Sequence, residues 1–80
     1  MKAKIDISLY PLNEDFIKII KHFISQLHTY EGITVETNQL STQIFGDYDQ
    51  IMGLLTGELK EVFLQHRAVA VLKVIGVNED

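Results

Sequence analysis

The chain has 80 residues, of which 46% are hydrophobic and 22% are charged, with seven Lys and Arg against eleven Asp and Glu. This length predicts a single domain over residues 1–80, and the composition is typical of globular proteins. The formal net charge of -4 argues against nucleic-acid binding, which depends on clustered Lys and Arg. The absence of Cys excludes disulfides and thiolate sites, and it fits a cytoplasmic protein. No apolar run approaches the roughly 20 residues that span a bilayer, so we expect no membrane contact.

The first predicted element is a β-strand over residues 2–10. Apolar and polar side chains alternate there, and a period of two is typical of a strand with one buried face. The buried face would hold Ala3, Ile5, Ile7 and Leu9. The other face would hold Lys4, Asp6, Ser8 and Tyr10. Pro11 ends the strand, because proline has no N–H for the ladder.

A helix is predicted after Pro11, with Asn13 as its N-cap. Leu12 before the cap and Ile17 after it could form a hydrophobic staple. The helix should end near Tyr30. Its apolar stripe is expected to contain Phe16, Ile20, Phe23, Ile24 and Leu27.

The segments ITVET and LSTQIF predict a β-hairpin with a short turn at Asn38 and Gln39. Leu40 and Ile44 should enter the core, and Thr42 alternates with them. A buried hydroxyl without a partner costs about 1–3 kcal/mol. Thr42 therefore either bonds to a neighbouring backbone carbonyl or a water, or it faces a ligand in a pocket between the sheet and the helices.

Asp47 is the predicted N-cap of a second helix, and Gln50 completes a pair typical of a capping box. The buried stripe of this helix should contain Ile51, Met52, Leu55, Leu59, Val62 and Phe63. Gly53 and Gly57 fall on the opposite face, with Leu54 and Leu64 nearby. The two glycines are either tolerated surface residues or a point where another chain approaches.

The segment AVAVLKVIGV, residues 68–77, predicts a final strand that is apolar on both faces apart from Lys73. The element order β-α-β-β-α-β predicts an α+β ferredoxin-like plait, with a four-stranded antiparallel sheet and two helices on one face. The bare sheet face would expose Phe45, Val69, Val71 and Ile75. An exposed apolar patch of this kind indicates a homodimer or homotetramer formed through that face.

Catalytic and metal-binding motifs are absent from the sequence. The residues His22, His28 and His66 lack the i, i+4 spacing of a helical metal site, so we expect no metal. The segment GLLTG has no P-loop lysine, and Arg67 lies just before the last strand rather than in a phosphate-binding loop. An enzyme of the acylphosphatase type is therefore disfavoured. We expect no catalytic activity and no cofactor.

Two segments resemble a known family. ISLYPL, residues 7–12, and LSTQIFGDYDQIMGLL, residues 40–55, are similar to segments of the thiamine/hydroxymethylpyrimidine-binding proteins, the Ykof-like group of the thiamine-binding domain superfamily. The resemblance spans nearly the whole chain in the same element order. It implies a ferredoxin-like domain, oligomerisation through sheets, and non-catalytic binding of thiamine or its pyrimidine half. The positions that match the family motifs are Ser8, Tyr10, Pro11, Ser41, Thr42 and Gly46.

The candidate ligand-binding residues are polar side chains near Thr42, at strand ends or on the other sheet face. They are Ser8, Tyr10, Thr37, Asn38, Ser41, Thr42 and Gln43. Tyr10 or Phe45 could stack on a ring or meet the thiazolium cation. The alternative is an ACT-like regulatory module that binds another small metabolite at a subunit interface. The segment YPLNED lacks the glycine that such modules carry in their first loop.

Overall fold

The computed structural model describes residues 1–77 and contains a four-stranded antiparallel sheet in the order β2-β3-β1-β4. The elements in chain order are β1 (Lys2–Pro11), α1 (Phe16–Leu27), β2 (Thr34–Thr37), β3 (Thr42–Asp47), α2 (Tyr48–Gln65) and β4 (Ala68–Val77). This is the predicted ferredoxin-like α+β plait, with β1 and β3 at the centre. The single-domain prediction extends to residues 78–80, which lie outside the described residues.

The buried face of the sheet is the one predicted from the alternation in β1. Ala3 and Ile5 are fully buried, and Ile7 and Leu9 are nearly so. Burying a side chain of the size of Ile or Leu contributes about 1.5–3 kcal/mol to the stability of the fold. Ile5, Ile7 and Leu9 share one core with Ile44 of β3 and with the inner residues of both helices. Both helices therefore cover one sheet face and leave the other open.

The strand register defines the open face of the sheet. Its cross-strand pairs include Tyr10–Val69, Ser8–Val71, Asp6–Lys73, Lys4–Ile75 and Lys4–Phe45. Val69, Val71 and Ile75 are exposed, and they form an apolar row along β4. The predicted composition of this face is confirmed.

α1 begins later and ends earlier than predicted. Asn13 does not cap the helix: its Oδ1 accepts a hydrogen bond from the backbone N–H of Asp15 at 2.8 Å and folds the loop before the helix. Asp15 occupies the N-cap position without a side-chain cap bond, and the helix ends at Leu27 rather than near Tyr30. The Asn13 bond closes a turn before the helix, and the helical hydrogen bonds begin with the carbonyl of Asp15, which accepts from the N–H of Ile19 at 3.2 Å.

The buried stripe of α1 is Ile19, Phe23 and Leu27. The predicted stripe included Phe23 and Leu27 but missed Ile19. Phe16 was expected in the core and is 47% exposed. It lies on the flank of α1 that borders a cavity rather than the sheet.

Asp47 caps α2 as predicted, because its Oδ2 accepts a hydrogen bond from the backbone N–H of Gln50 at 3.1 Å. The reciprocal half of the capping box is not formed. The Gln50 side chain instead donates from Nε2 to the carbonyl of Glu31 at 2.7 Å. It thereby ties the start of α2 to the loop before β2.

The buried stripe of α2 is rotated relative to the prediction. Leu54 is 7% exposed and belongs to the core, whereas Phe63 is 48% exposed. Ile51 is fully buried and marks the centre of the buried face. Viewed down the helix axis at 3.6 residues per turn, Leu54 lies about 60° around the helix from Ile51, whereas Phe63 lies about 120° from it. Gly53 and Gly57 lie on the outer face, where an added Cβ would meet no atom of the described residues within 4 Å. No helix within residues 1–77 is long and apolar enough to cross a membrane.

Candidate functional site

The loop between β2 and β3 is organised by the side chain of Asn38. Its Oδ1 accepts hydrogen bonds from the backbone N–H groups of Leu40, at 2.8 Å, and Ser41, at 3.0 Å. The N–H of Asn38 donates to the Ser41 carbonyl at 3.0 Å. This loop delays the start of β3 to Thr42. The prediction that Leu40 enters the core is therefore wrong, since Leu40 is 87% exposed.

Thr42 is a buried polar side chain within an otherwise apolar core, with 6% of its surface exposed. Its Oγ1 lies 3.1 Å from Oγ1 of Thr37, the residue opposite it in the β2–β3 ladder. The partner is thus a hydroxyl of the neighbouring strand, where the sequence led us to expect a backbone carbonyl among the alternatives. Two hydroxyls that share one hydrogen bond retain one O–H donor and further lone pairs. The pair can therefore bond to a third group.

A cavity of about 350 Å³ lies between α1 and this end of the sheet. It is lined by Ile7, Ser8, Leu9, Tyr10, Pro11, Phe16, Ile20, Phe23, Ile24, Thr37, Asn38, Gln39, Leu40, Ser41 and Thr42. The structure thus brings together all the predicted site residues except Gln43. We call this space the hairpin cavity.

The hairpin cavity has one apolar wall and one polar wall. α1 supplies the apolar wall with Phe16, Ile20 and Ile24, and the hairpin supplies the polar wall with Thr37, Asn38 and Thr42. Because Oδ1 of Asn38 is engaged by the loop backbone, the two N–H groups of its side chain remain as donors. Small-molecule sites combine an apolar lining with a few oriented polar groups in this way.

Ser8 and Ser41 lie where the hairpin cavity meets the open sheet face. The Ser41 hydroxyl donates to the carboxylate of Asp6, and the Ser8 hydroxyl donates to the carbonyl of Leu40 at 3.5 Å. Tyr10 is 54% exposed near the end of β1, and it is among the residues that line the cavity. These bonds connect the cavity rim to the open face and hold the loop against β1.

Gln43 faces the open side of the sheet. Its Nε2 donates to the Ser41 hydroxyl at 3.5 Å, and its side chain lines a separate depression of about 330 Å³ with Lys4, Thr34, Glu36 and Phe45. Any contact of Gln43 with a ligand in the hairpin cavity would therefore pass through Ser41. Alternation along β3 indicates this placement, since Gln43 and Thr42 must point to opposite faces.

The apolar wall was missed when the site was predicted from the sequence. Phe16 and Ile20 were assigned to the core, and Leu40 was assigned to the buried face of β3. The available signal was an excess of apolar residues on α1, which carries Phe16, Ile20 and Ile24 in addition to the stripe that packs on the sheet. Two neighbouring apolar rows on one helix indicate two different environments.

A larger groove of about 570 Å³ lies between α1 and α2 and contains none of the predicted site residues. Its lining includes Lys18, His22, Glu58 and Glu61. No group of three or more His, Asp or Glu side chains within residues 1–77 could hold a metal ion. We favour the hairpin cavity, because the buried hydroxyl of Thr42 and its partner Thr37 line it.

The chain matches the YKOF-related family over residues 2–78. It belongs to that family. This YKOF-related protein superimposes on a Streptococcus pneumoniae protein with a TM-score of 0.86 and 29% identity, over 99% of its own chain and 89% of the other. A Methanocaldococcus protein gives a TM-score of 0.83 at 27% identity, covering 99% and 84% of the two chains.

A third structure with the same fold comes from Thermotoga maritima, and its name makes it a candidate thiamine biosynthesis/salvage protein. The TM-score is 0.82 at 21% identity, over 92% of this chain and 82% of that one. At this identity the likeness establishes the shared fold. No curated protein sequence matches the chain significantly.

Proposed function

We propose that this YKOF-related protein binds thiamine or its hydroxymethylpyrimidine moiety, without catalysis, in the hairpin cavity. The observation that carries the proposal is the cavity itself. It joins the two segments whose sequences resemble the thiamine-binding group, and it is lined by the buried Thr42 and its hydrogen-bond partner Thr37. The name of the Thermotoga protein of the same fold supports a thiamine-related role.

The walls of the cavity suit an aminopyrimidine ring. Such a ring presents nitrogen acceptors and an amino donor on its edge. The side-chain N–H groups of Asn38 can donate to a ring nitrogen, and the hydroxyls of Thr37 and Thr42 can accept from the amino group. The aromatic ring of Phe16 on the opposite wall provides a surface for stacking.

The lining also favours binding over catalysis. Among the described residues, the cavity is lined by hydroxyl, amide and apolar side chains, and it includes no His, Asp, Glu or Lys. General acids and bases come most often from those residue types. The hydroxyls of Thr37 and Thr42 bond to each other and have no such group as their partner, and an unactivated hydroxyl is a weak nucleophile.

We further propose that the protein forms a homodimer or homotetramer through the open sheet face. The support is the row of exposed Val69, Val71 and Ile75 on β4, with Phe45 on β3. Contiguous exposed apolar surface is favourably covered by another subunit. Polar Asp6 and Lys73 lie within the same face and would orient the two copies.

Isothermal titration calorimetry with thiamine and with hydroxymethylpyrimidine tests the proposed function. We expect saturable binding of one or both compounds, together with an upward shift of the melting temperature. Amino acids serve as a parallel ligand panel. A shift with amino acids but not with thiamine would favour the ACT-like alternative. No heat and no thermal shift at millimolar thiamine or pyrimidine would contradict the proposal.

A further inference from the structure

The hairpin cavity is lined without a single charged side chain among the described residues. Its polar groups are the hydroxyls of serine, threonine and tyrosine and the amides of Asn38 and Gln39. Seven Lys and Arg residues occur in the chain, yet none contributes to this lining. The electrostatic character of the cavity is therefore that of neutral dipoles.

Several carboxylates lie close to the cavity lining in structure or sequence, and the one lysine adjacent in sequence to a lining residue, Lys21 after Ile20, is exposed. The carboxylate of Asp6 accepts a hydrogen bond from Ser41, which lines the cavity from the side of the open face. Glu14 and Asp15 immediately precede Phe16, at the N-terminus of α1. Carboxylates at this position counter the positive end of the helix dipole, which would otherwise attract an anion.

We infer from these contacts that the cavity selects an unphosphorylated pyrimidine and rejects its phosphate esters. The inference rests on the proposed function and adds the charge class of the ligand. A phosphate group carries about -1.5 to -2 charges at neutral pH. Moving that charge out of water is costly unless cationic or donor groups surround it. Here it would meet an apolar wall, with carboxylates beyond the rim.

This selectivity assigns the protein a place relative to phosphorylation. A kinase reaction that converts the hydroxymethyl group into a phosphate ester would turn a bound ligand into a released one. The protein would therefore hold the substrate of such a reaction and not its product. Both forms share the same ring, so the discrimination depends on charge at one end of the ligand.

Calorimetry with hydroxymethylpyrimidine and its monophosphate tests the inference directly. We expect the dissociation constant of the phosphate to exceed that of the alcohol by about tenfold or more, because an unpaired charge is expensive to desolvate. The variant Gln39→Lys introduces a cation at a cavity-lining, exposed loop position. It should reduce the ratio of the two constants several-fold, and added salt should weaken this effect.

Thr56→Lys is the matched control, because it adds the same charge on the exposed side of α2, away from the cavity. The ratio of the two dissociation constants in this variant should equal the ratio in the parent protein. Equal or tighter binding of the phosphate by the parent would overturn the inference and leave the proposed function intact. If neither hydroxymethylpyrimidine nor its monophosphate binds but thiamine does, the inference fails and the proposed function stands; if thiamine does not bind either, both fail.

Discussion

The hydroxyls of Thr37 and Thr42 lie 3.1 Å apart across the β2–β3 ladder. Thr42 is buried in the core, whereas Thr37 is exposed on the short edge strand. The pair therefore satisfies a buried hydroxyl without any ligand, and it also presents the remaining O–H and lone pairs to the hairpin cavity. The structural role and the binding role of Thr42 can be separated by substitution.

Thr42→Val is expected to weaken binding of the pyrimidine ligand while the fold is retained. The variant loses one hydrogen bond, which is worth about 0.5–1.5 kcal/mol, so affinity should fall by a few-fold to about tenfold. The free energy of unfolding should change little, because valine is similar in shape and Thr37 can bond to water instead. Calorimetry and urea denaturation measure the two effects.

The controls for this prediction are Thr42→Ser, which keeps the hydroxyl, and Thr56→Val, which removes a hydroxyl bonded to the Met52 carbonyl on α2. Both should bind the ligand as the parent does. If Thr42→Val also binds like the parent, Thr42 is a structural hydroxyl only, and the binding role assigned to the pair is wrong.

Ile44 lies fully buried at the centre of the sheet, at 0% exposure. Ile44→Ala should lower the free energy of unfolding by about 2–5 kcal/mol, because it removes apolar contacts and leaves a cavity. The milder Ile44→Val should cost about 0.5–1.5 kcal/mol. Leu64→Ala, at a position with 71% exposure, should stay within about 0.5 kcal/mol of the parent. A similar loss for Ile44→Ala and Leu64→Ala in urea denaturation would contradict the described core.

Strongly patterned elements were predictable from the sequence. The alternation in β1 identified its buried face, because a period of two leaves only one way to hide the apolar side chains. β4 was recognised from its continuous apolar run. Asp47 was recognised as a cap because it directly precedes an apolar helical repeat.

Features that depend on side chains bonding to the backbone were not predictable. The alternation Leu40, Thr42, Ile44 continues smoothly through the sequence, but the Asn38 side chain captures two backbone N–H groups and removes Leu40 from the strand. Likewise, α1 carries two rows of apolar residues, one at positions 16, 20 and 24 and the other at positions 19, 23 and 27, and both rows have the same helical spacing. Only the packing of α1 against β1 determines which row is buried.

The candidate site was predictable in part for the same reason. Its polar residues were recognised because a hydroxyl at Thr42 conflicts with the apolar pattern around it. Its apolar wall was not, because Phe16 and Ile20 resemble ordinary core residues in a linear pattern. The identity of Thr37 as the partner of Thr42 follows from the β2–β3 register, which the loop between the strands determines.

Tyr30 links the end of α1 to α2, since its hydroxyl donates to Oε2 of Glu58 at 2.6 Å. This hydrogen bond, with desolvation and the negative charge of Glu58, raises the pKa of Tyr30 above its ordinary value of 10.0. The neutral form is thus favoured in the folded state. The stabilisation is complete below pH 10.0 and is lost as pH rises further, because the unfolded chain ionises first.

Tyr30→Phe should therefore reduce the free energy of unfolding near neutral pH by about 0.5–1.5 kcal/mol, the value of one hydrogen bond. It should also flatten the decline in stability above about pH 10. Urea denaturation across this pH range measures both effects, with Tyr48→Phe as the matched control. A decline in Tyr30→Phe as steep as in the parent would show that Tyr30 is not the responsible group.

The final prediction concerns assembly through the open sheet face. Val71 is 49% exposed and lies opposite Ser8, in the middle of the apolar row on β4. In an isolated chain, Val71→Lys would place its ammonium in water, so the fold should be retained. In an assembly that covers this face, the same charge would be buried without a partner, which is strongly unfavourable.

We expect the parent to sediment as a dimer or tetramer and Val71→Lys as a monomer with an unchanged circular dichroism spectrum. Thr56→Lys, with the same added charge on α2, should assemble as the parent does. A monomeric parent at all concentrations, or a Val71→Lys variant that keeps the parental assembly, would exclude this face as the interface.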